Sequence, residues 1–330
     1  MSHEFEALMA RNRQIWIGPR LRSHTERVCW VAFSPDSRLL ASAGNDHAIR
    51  IWKLGASVPP QTLSGHASPV NCVAWSPDGR LLASVSGDKF IRLWDITSGE
   101  ILCQIEAGDP IIWSVTWSPD GRLFATGSSD RFVSRTIRLW DVAGNEVIKR
   151  PLYHPKEIRS VAWSPDGQFL ATGSQDSSIH LWDANSGEKT RQLLGHTGNI
   201  RNLAWSPDGR FLGSVAGDKT VQIWSIGQDE ALKRLTMHSN EVNGVTWSPD
   251  GRLLISRGTG SSKQEDAVIL WHAASGQEVA RLPQKSQQKD VYWTTRALAV
   301  SPDGRWLASY PPDSLNDIQL WDISALDVGP

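Results

Sequence analysis

Three cysteines in 330 residues (Cys29, Cys72 and Cys103) are too few and too scattered to frame a disulfide scaffold or hold a zinc ion. A reducing, cytoplasmic setting is the simplest expectation, with no metal and no cofactor. Long apolar runs are missing: nothing approaches the ~20 residues a membrane span needs, so no membrane partner is expected. The opening MSHEFEALMARNRQ carries Glu4 and Glu6 and has no apolar core, and does not read as a secretory leader. An excess of one charge is lacking as well, with 34 Lys and Arg against 35 Asp and Glu. A duplex-binding surface needs a concentrated basic footprint, so no nucleic-acid partner is expected. Tyrosine and methionine number three each, whereas tryptophan reaches 17.

Repetition explains the tryptophan. WSPDG or a close variant occurs seven times, with serines at Ser34, Ser76, Ser118, Ser164, Ser206, Ser248 and Ser301. A second tryptophan follows each, at Trp52, Trp94, Trp140, Trp182, Trp224, Trp271 and Trp321. The commonest serine-to-serine step, Ser34 to Ser76 for example, is 42 residues, within the range of propeller blades and solenoid units. Inside one period the pattern is β. Val70 to Trp75 is a short apolar run ended by Ser76-Pro77-Asp78-Gly79, a turn by composition. Leu81 to Ser84, Ile91 to Trp94 and Ile101 to Ile105 are three further strands, separated by Asp88-Lys89 and Ser98-Gly99 turns. No segment within the repeats has room for a ten-residue helix. Sheets of four short strands cannot bury both faces alone, so seven of them must stack side by side.

The Gly-His starts (Gly65-His66, Gly195-His196), the SPDG turns and the Trp-Asp ends (Trp94-Asp95, Trp140-Asp141, Trp182-Asp183, Trp321-Asp322) resemble the WD-repeat family over roughly residues 13–323. The resemblance implies an all-β, seven-bladed propeller of four-stranded antiparallel blades, flanked by an extension (1–12) and a tail (324–330). The last repeat lacks a fourth strand, and Gln14 to Ile17 has no blade of its own. An edge at each end would be a liability, so the N-terminal strand is expected to complete the last blade, as the family's closure does.

Four repeats carry a His, a Ser or Thr and an Asp at fixed offsets: His24/Ser42/Asp46, His66/Ser84/Asp88, His154/Thr172/Asp176 and His196/Ser214/Asp218. Those residue types suggest a nucleophilic triad. A catalytic site occurs once, however, whereas this set recurs. In WD-repeat proteins the equivalent residues, with the strand-end tryptophan, form a structural tetrad, which by similarity adds Trp52, Trp94, Trp182 and Trp224. Three repeats depart from it: the third has Gly108 for the His, the sixth Gly260 for the Asp, and the seventh Val291 for the His. Those blades are expected to be locally weaker. The tryptophans before SPDG (Trp75, Trp117, Trp163, Trp205, Trp247) recur and are assigned to packing.

Irregularity points to function. From the SPDG serine to the strand-end tryptophan the distance is 18 residues in four repeats, 22 in the third, 23 in the sixth and 20 in the seventh. From that tryptophan to the next serine it is 24, except for 30 before the seventh. The extra residues are expected after Asp130 and Asp313, between Gly258 and Asp266, and around 283–290. All four fall on one face of the ring, which is how a binding face behaves. Family practice places partner contacts on that face, three and five residues after the tetrad His, among them Arg27, Trp113, Arg159, Arg201 and Arg296. Outside the repeat pattern, Arg131, Phe132, Tyr292, Trp293 and Tyr310 join them as candidates, Arg and aromatic side chains being enriched at hot spots. The expected function is a non-enzymatic interaction scaffold for other proteins or peptides. The competing expectation is a propeller enzyme, hydrolase-like, with an unrecognised site at the central channel.

Overall fold

A computed structural model describes residues 15–108, 111–129, 135–148, 152–228, 230–259, 266–284, 296–311 and 314–326. They form seven four-stranded antiparallel sheets, and no helix occurs among the described residues. Blades are numbered here by their SPDG turns. The inner strands are Val28–Phe33, Val70–Trp75, Ile111–Trp117, Ile158–Trp163, Ile200–Trp205, Val242–Trp247 and the short Ala299–Val300.

The turn that follows each inner strand shows why the motif recurs. In blade two the amide of Gly79 donates to the carbonyl of Ser76 at 2.9 Å, and Gly79 takes a φ of +71°. The Ser76 hydroxyl donates to Asp78 at 2.5 Å and accepts from the amide of Leu81 at 2.9 Å, tying the turn to the next strand. Blade one has Ser37 in the glycine slot at φ +60°, a left-handed conformation that costs a residue with a Cβ more than glycine.

The core lies between blades. Seven apolar clusters each draw on two consecutive sheets, such as Val85 and Ile91 against Ile112 and Val115 at the junction of blades two and three. The others fill the remaining six junctions. The cluster of Val28 and Val31 with Ala308, Tyr310 and Ile318 closes the circle from blade seven to blade one. Tryptophans stitch the junctions with polar bonds as well. The indole nitrogens of Trp75, Trp117, Trp205 and Trp247 donate to the carbonyls of Ala32, Ala74, Ala162 and Ala204 in the preceding blade, at 2.9–3.0 Å. Trp163 turns instead to Gly167 of its own turn, at 3.1 Å.

Closure follows the expectation. Trp16–Arg22 is the outer strand of blade seven, paired antiparallel with Asp317–Asp322 through contacts such as Ile17 with Trp321 and Leu21 with Ile318. Arg20 donates to Asp317 at 2.8 Å across the same pair. One expectation needs adjusting. Part of the extra length placed at 283–290 extends the outer hairpin of blade six, where Pro283 pairs with Ala267 and Gln284 with Asp266. An outer strand has one unpaired side, so proline's missing N–H is tolerated there.

Candidate interaction face

Each inner strand begins beside the end of its blade's second strand, as Val28 opposite Gly44 and Val70 opposite Ser86 show. That end of the ring is also where second strands pass to third and outer strands pass to the next blade. All four length irregularities therefore leave from the same face. Asp130, Gly260, Val291 and Asp313 themselves lie outside the described residues.

The tetrads stand just behind this face. In blade five the Trp224 indole donates to Ser214 at 2.8 Å, Ser214 is bonded to His196 Nε2 at 2.8 Å, and His196 Nδ1 meets Asp218 at 2.9 Å. Blades one and two repeat it with Trp52/Ser42/His24/Asp46 and Trp94/Ser84/His66/Asp88 at 2.7–2.9 Å. Blade four stretches the last link, His154 to Asp176, to 3.4 Å, while Trp182 and His154 hold Thr172 at 2.8 and 2.7 Å. A neutral imidazole satisfies the chain, donating from Nδ1 and accepting at Nε2. Burial lowers the His24 and His66 pKa, against the pull of their aspartates. Burial alone would raise Asp46, Asp88, Asp176 and Asp218, yet bonds led by the partner histidine carry each well below the usual carboxylate range. The hydroxyl-bearing residues Ser42, Ser84, Thr172 and Ser214 are 0% exposed, so no substrate reaches them. Asp meets His and His meets Ser as in a protease, but the hydroxyl is sealed in the blade.

The three repeats that depart from the tetrad keep part of it. Blade three retains Trp140 on Thr126 at 2.9 Å. Blade six retains His238 on Ser256 at 2.7 Å and Trp271 on Ser256 at 2.8 Å. Without a carboxylate partner among the described residues, His238 is pushed by burial down to about 3. In blade seven the Trp321 indole nitrogen is buried with no partner among the described residues.

Two features escaped the sequence. Arg50 and Arg92 reach the tetrad aspartates Asp46 and Asp88 at 2.8 Å each, and the Asp-to-Arg spacing of four was the available signal. The second is a ring of β-bulges. Pairing between inner and second strands skips one residue in each of six blades: Cys29, Asn71, Trp113, Arg159, Arg201 and Asn243. Bulges re-aim side chains and are common beside functional sites. Arg296 holds the equivalent sequence position in blade seven, and its amide donates to Cys29 at 3.1 Å. The skipped residues differ in every blade except the two arginines and two asparagines, whereas the tetrads next to them repeat.

Among the predicted contacts, Trp113, Arg159, Arg201 and Arg296 are brought together at the channel. Arg159 lies over the Trp113 ring and pairs with Glu157 at 2.7 Å; Arg201 pairs with Glu241 at 2.7 Å. Arg27 is half-buried on the rim of blade one. Two expectations are corrected. Tyr310 is 1% exposed, its hydroxyl donating to the carbonyl of Val28 and its ring lying under Arg257, so it packs the closing junction. Arg296 is 5% exposed and sits inside the channel, donating to the carbonyl of Arg159 in blade four, so it is no rim residue. Arg131, Phe132, Tyr292 and Trp293 lie outside the described residues.

Among the described residues no group of His, Cys, Asp and Glu could hold a metal, and no helix is long and apolar enough to cross a membrane. A stretch of 58 residues is 43% identical to Centriole proteome protein 16 of Chlamydomonas reinhardtii. It makes up 18% of this chain and 2% of that much longer protein. The family model described as "WD domain, G-beta repeat" matches residues 18–53, 57–95, 99–141, 147–183, 187–225 and 229–269. Each matched segment after the first begins at or before an outer strand and ends with the third strand of the following blade, so the sequence repeat is offset from the blade by one strand. The three C-terminal strands of the seventh blade, which carries two of the irregular spacings, lie outside those matches, but with the N-terminal strand they form a four-stranded sheet like the others. With six matched repeats covering well over half its length and a seventh blade completing the ring, this chain belongs to the WD-repeat family.

Proposed function

We propose that the chain is a non-enzymatic scaffold that binds a partner protein or peptide on the face where the inner strands begin. The observation that carries this reading is the contrast between neighbours. Tetrad residues repeat from blade to blade, while the bulged residues a few positions away vary and include a tryptophan and two arginines. Length variation confined to the connections of that face supports it. The sealed hydroxyls of the tetrads favour a structural role over hydrolysis, and the near-equal charge totals favour a protein partner over a duplex. Arg27, Trp113, Arg159 and Arg201 are the contacts assigned to this face among the described residues, and the sequence candidates Arg131, Phe132, Tyr292 and Trp293 lie outside those residues.

Photo-crosslinking in the native cell tests the assignment. A crosslinking amino acid at position 27 or 201 should trap a discrete partner, and one at position 80 or 210, beside SPDG turns, should not. Adducts formed only from positions 80 and 210 would place binding on the opposite face.

A further inference from the structure

Among the described residues, the three arginines gathered at the channel are matched by two carboxylates. Arg159, Arg201 and Arg296 come from blades four, five and seven, yet all three interact electrostatically with one another. Glu157 answers Arg159 and Glu241 answers Arg201. Arg296 has no acidic partner among the described residues; it donates to a backbone carbonyl and keeps Nη2 buried and unbonded. Arg159 Nε and Arg201 Nε are buried and unbonded too, so each of the three guanidinium groups keeps a buried nitrogen without an acceptor among the described residues. Burial, then Arg159 and Arg201, draw Arg296 down to about 9. Arg296 also lines a cavity of about 600 Å³, together with Ser114, Ser160, Asn202 and the turn prolines Pro165 and Pro302.

We propose that Arg159, Arg201 and Arg296 form an oxyanion seat in the channel that takes a phosphate group. Donors supplied by three separate blades suit a tetrahedral group with acceptors on every side better than a flat carboxylate. Arginine forks are the usual partners of such groups. The Trp113 ring, 4.1 Å from the Arg159 guanidinium, fixes that arm of the seat. Glu157 is held by Gln175 as well as Arg159, both at 2.7 Å. Glu241, 47% exposed, is the carboxylate that an incoming phosphate displaces from Arg201. The seat does not depend on the partner reading: it takes phosphate whether free in solution or carried on a peptide.

Inorganic phosphate is the first probe, followed by phosphorus NMR and thermal shift against chloride at matched ionic strength. The full chain should bind one phosphate saturably at millimolar concentration. Arg296→Met and Arg201→Gln should each weaken binding at least tenfold, Glu241→Gln should tighten it, and Arg210→Glu should leave it unchanged. A short Gly/Ser peptide with one phosphoserine, beside its unphosphorylated form, separates the sources. Tighter binding of the phosphopeptide than of free phosphate assigns the seat to a modified partner, and the reverse assigns it to a small molecule. Should Arg296→Met fail to fold, Arg201→Gln and Glu241→Gln decide, because both alter the exposed edge of the seat. No saturable binding, or binding indifferent to Arg201→Gln and weakened by Glu241→Gln, overturns the proposal.

Discussion

The Arg159 guanidinium lies over the indole of Trp113, 4.1 Å from the ring centroid, and this one contact joins the bulges of blades three and four. Trp113 is fixed in turn, its indole nitrogen donating to Ser129 at 2.7 Å. The pair is a rigid, half-buried platform on a face where neighbouring contacts are polar. Aromatic and arginine anchors of this kind carry a disproportionate share of binding energy at interfaces.

Ring closure rests on one strand. Deleting residues 1–22 removes the pairing of Trp16–Arg22 with Asp317–Asp322 and exposes an edge at blade seven. The truncated protein should lose its single cooperative melt or aggregate on heating. An unchanged melting curve, followed by circular dichroism, would show that the ring closes by other means.

The tetrads predict stability effects without functional ones. Ser214→Ala leaves the buried Trp224 indole and His196 without their shared partner. An orphaned buried group costs about 1–3 kcal/mol, so the melting temperature should fall by several degrees. Partner capture below that temperature should persist. Loss of a defined activity in a fully folded Ser214→Ala protein would return the hydrolase reading to the front.

Much of this was legible in the sequence because it is repeated. Blade count and strand order follow from spacings that recur, closure by the N-terminal strand from a last repeat short of its fourth strand, and the tetrads from the resemblance to the WD-repeat family; Gly108, Gly260 and Val291 marked the repeats that depart from the tetrad. The bulges were not legible. Nothing in Asn71 or Arg201 announces that its strand will skip a pairing there, since the bulge belongs to the register between two strands. Tyr310 and Arg296 were misplaced for a related reason. Tyr310 breaks the repeat pattern and Arg296 follows it, but neither fact reveals whether a side chain points outward. Tyr310 fills the closing junction, and Arg296 spans the channel to blade four.

Acid should act first through blade six. With its pKa lowered to about 3 from 6.5, His238 stays neutral in the fold while the unfolded chain takes up a proton. Stability from this group is present above pH 6.5 and is lost as pH falls toward 3, at about 1.4 kcal/mol per unit for one proton. His180, stacked on His154 at 3.8 Å and also lowered to about 3, acts in the same window. His238→Gln should therefore flatten the fall of melting temperature between pH 6.5 and 4.5, wherever the starting stability lies. An identical slope in mutant and wild type would mean that His238 is already accessible to protons in the fold.

The most direct test of the binding face is the affinity of a crosslinked partner, once identified, for four variants. Trp113→Ala and Arg201→Ala remove one anchor each from the inner-strand face, and a hot-spot truncation costs about 2 kcal/mol or more, beyond tenfold in Kd. Both should bind at least tenfold more weakly, with melting temperatures close to wild type. Arg80→Glu and Arg210→Glu, beside SPDG turns on the other side of the ring, should bind as the wild type does. If those two abolished binding while Trp113→Ala and Arg201→Ala retained it, the partner would sit on the turn face and the account of the bulge ring as a recognition surface would be wrong.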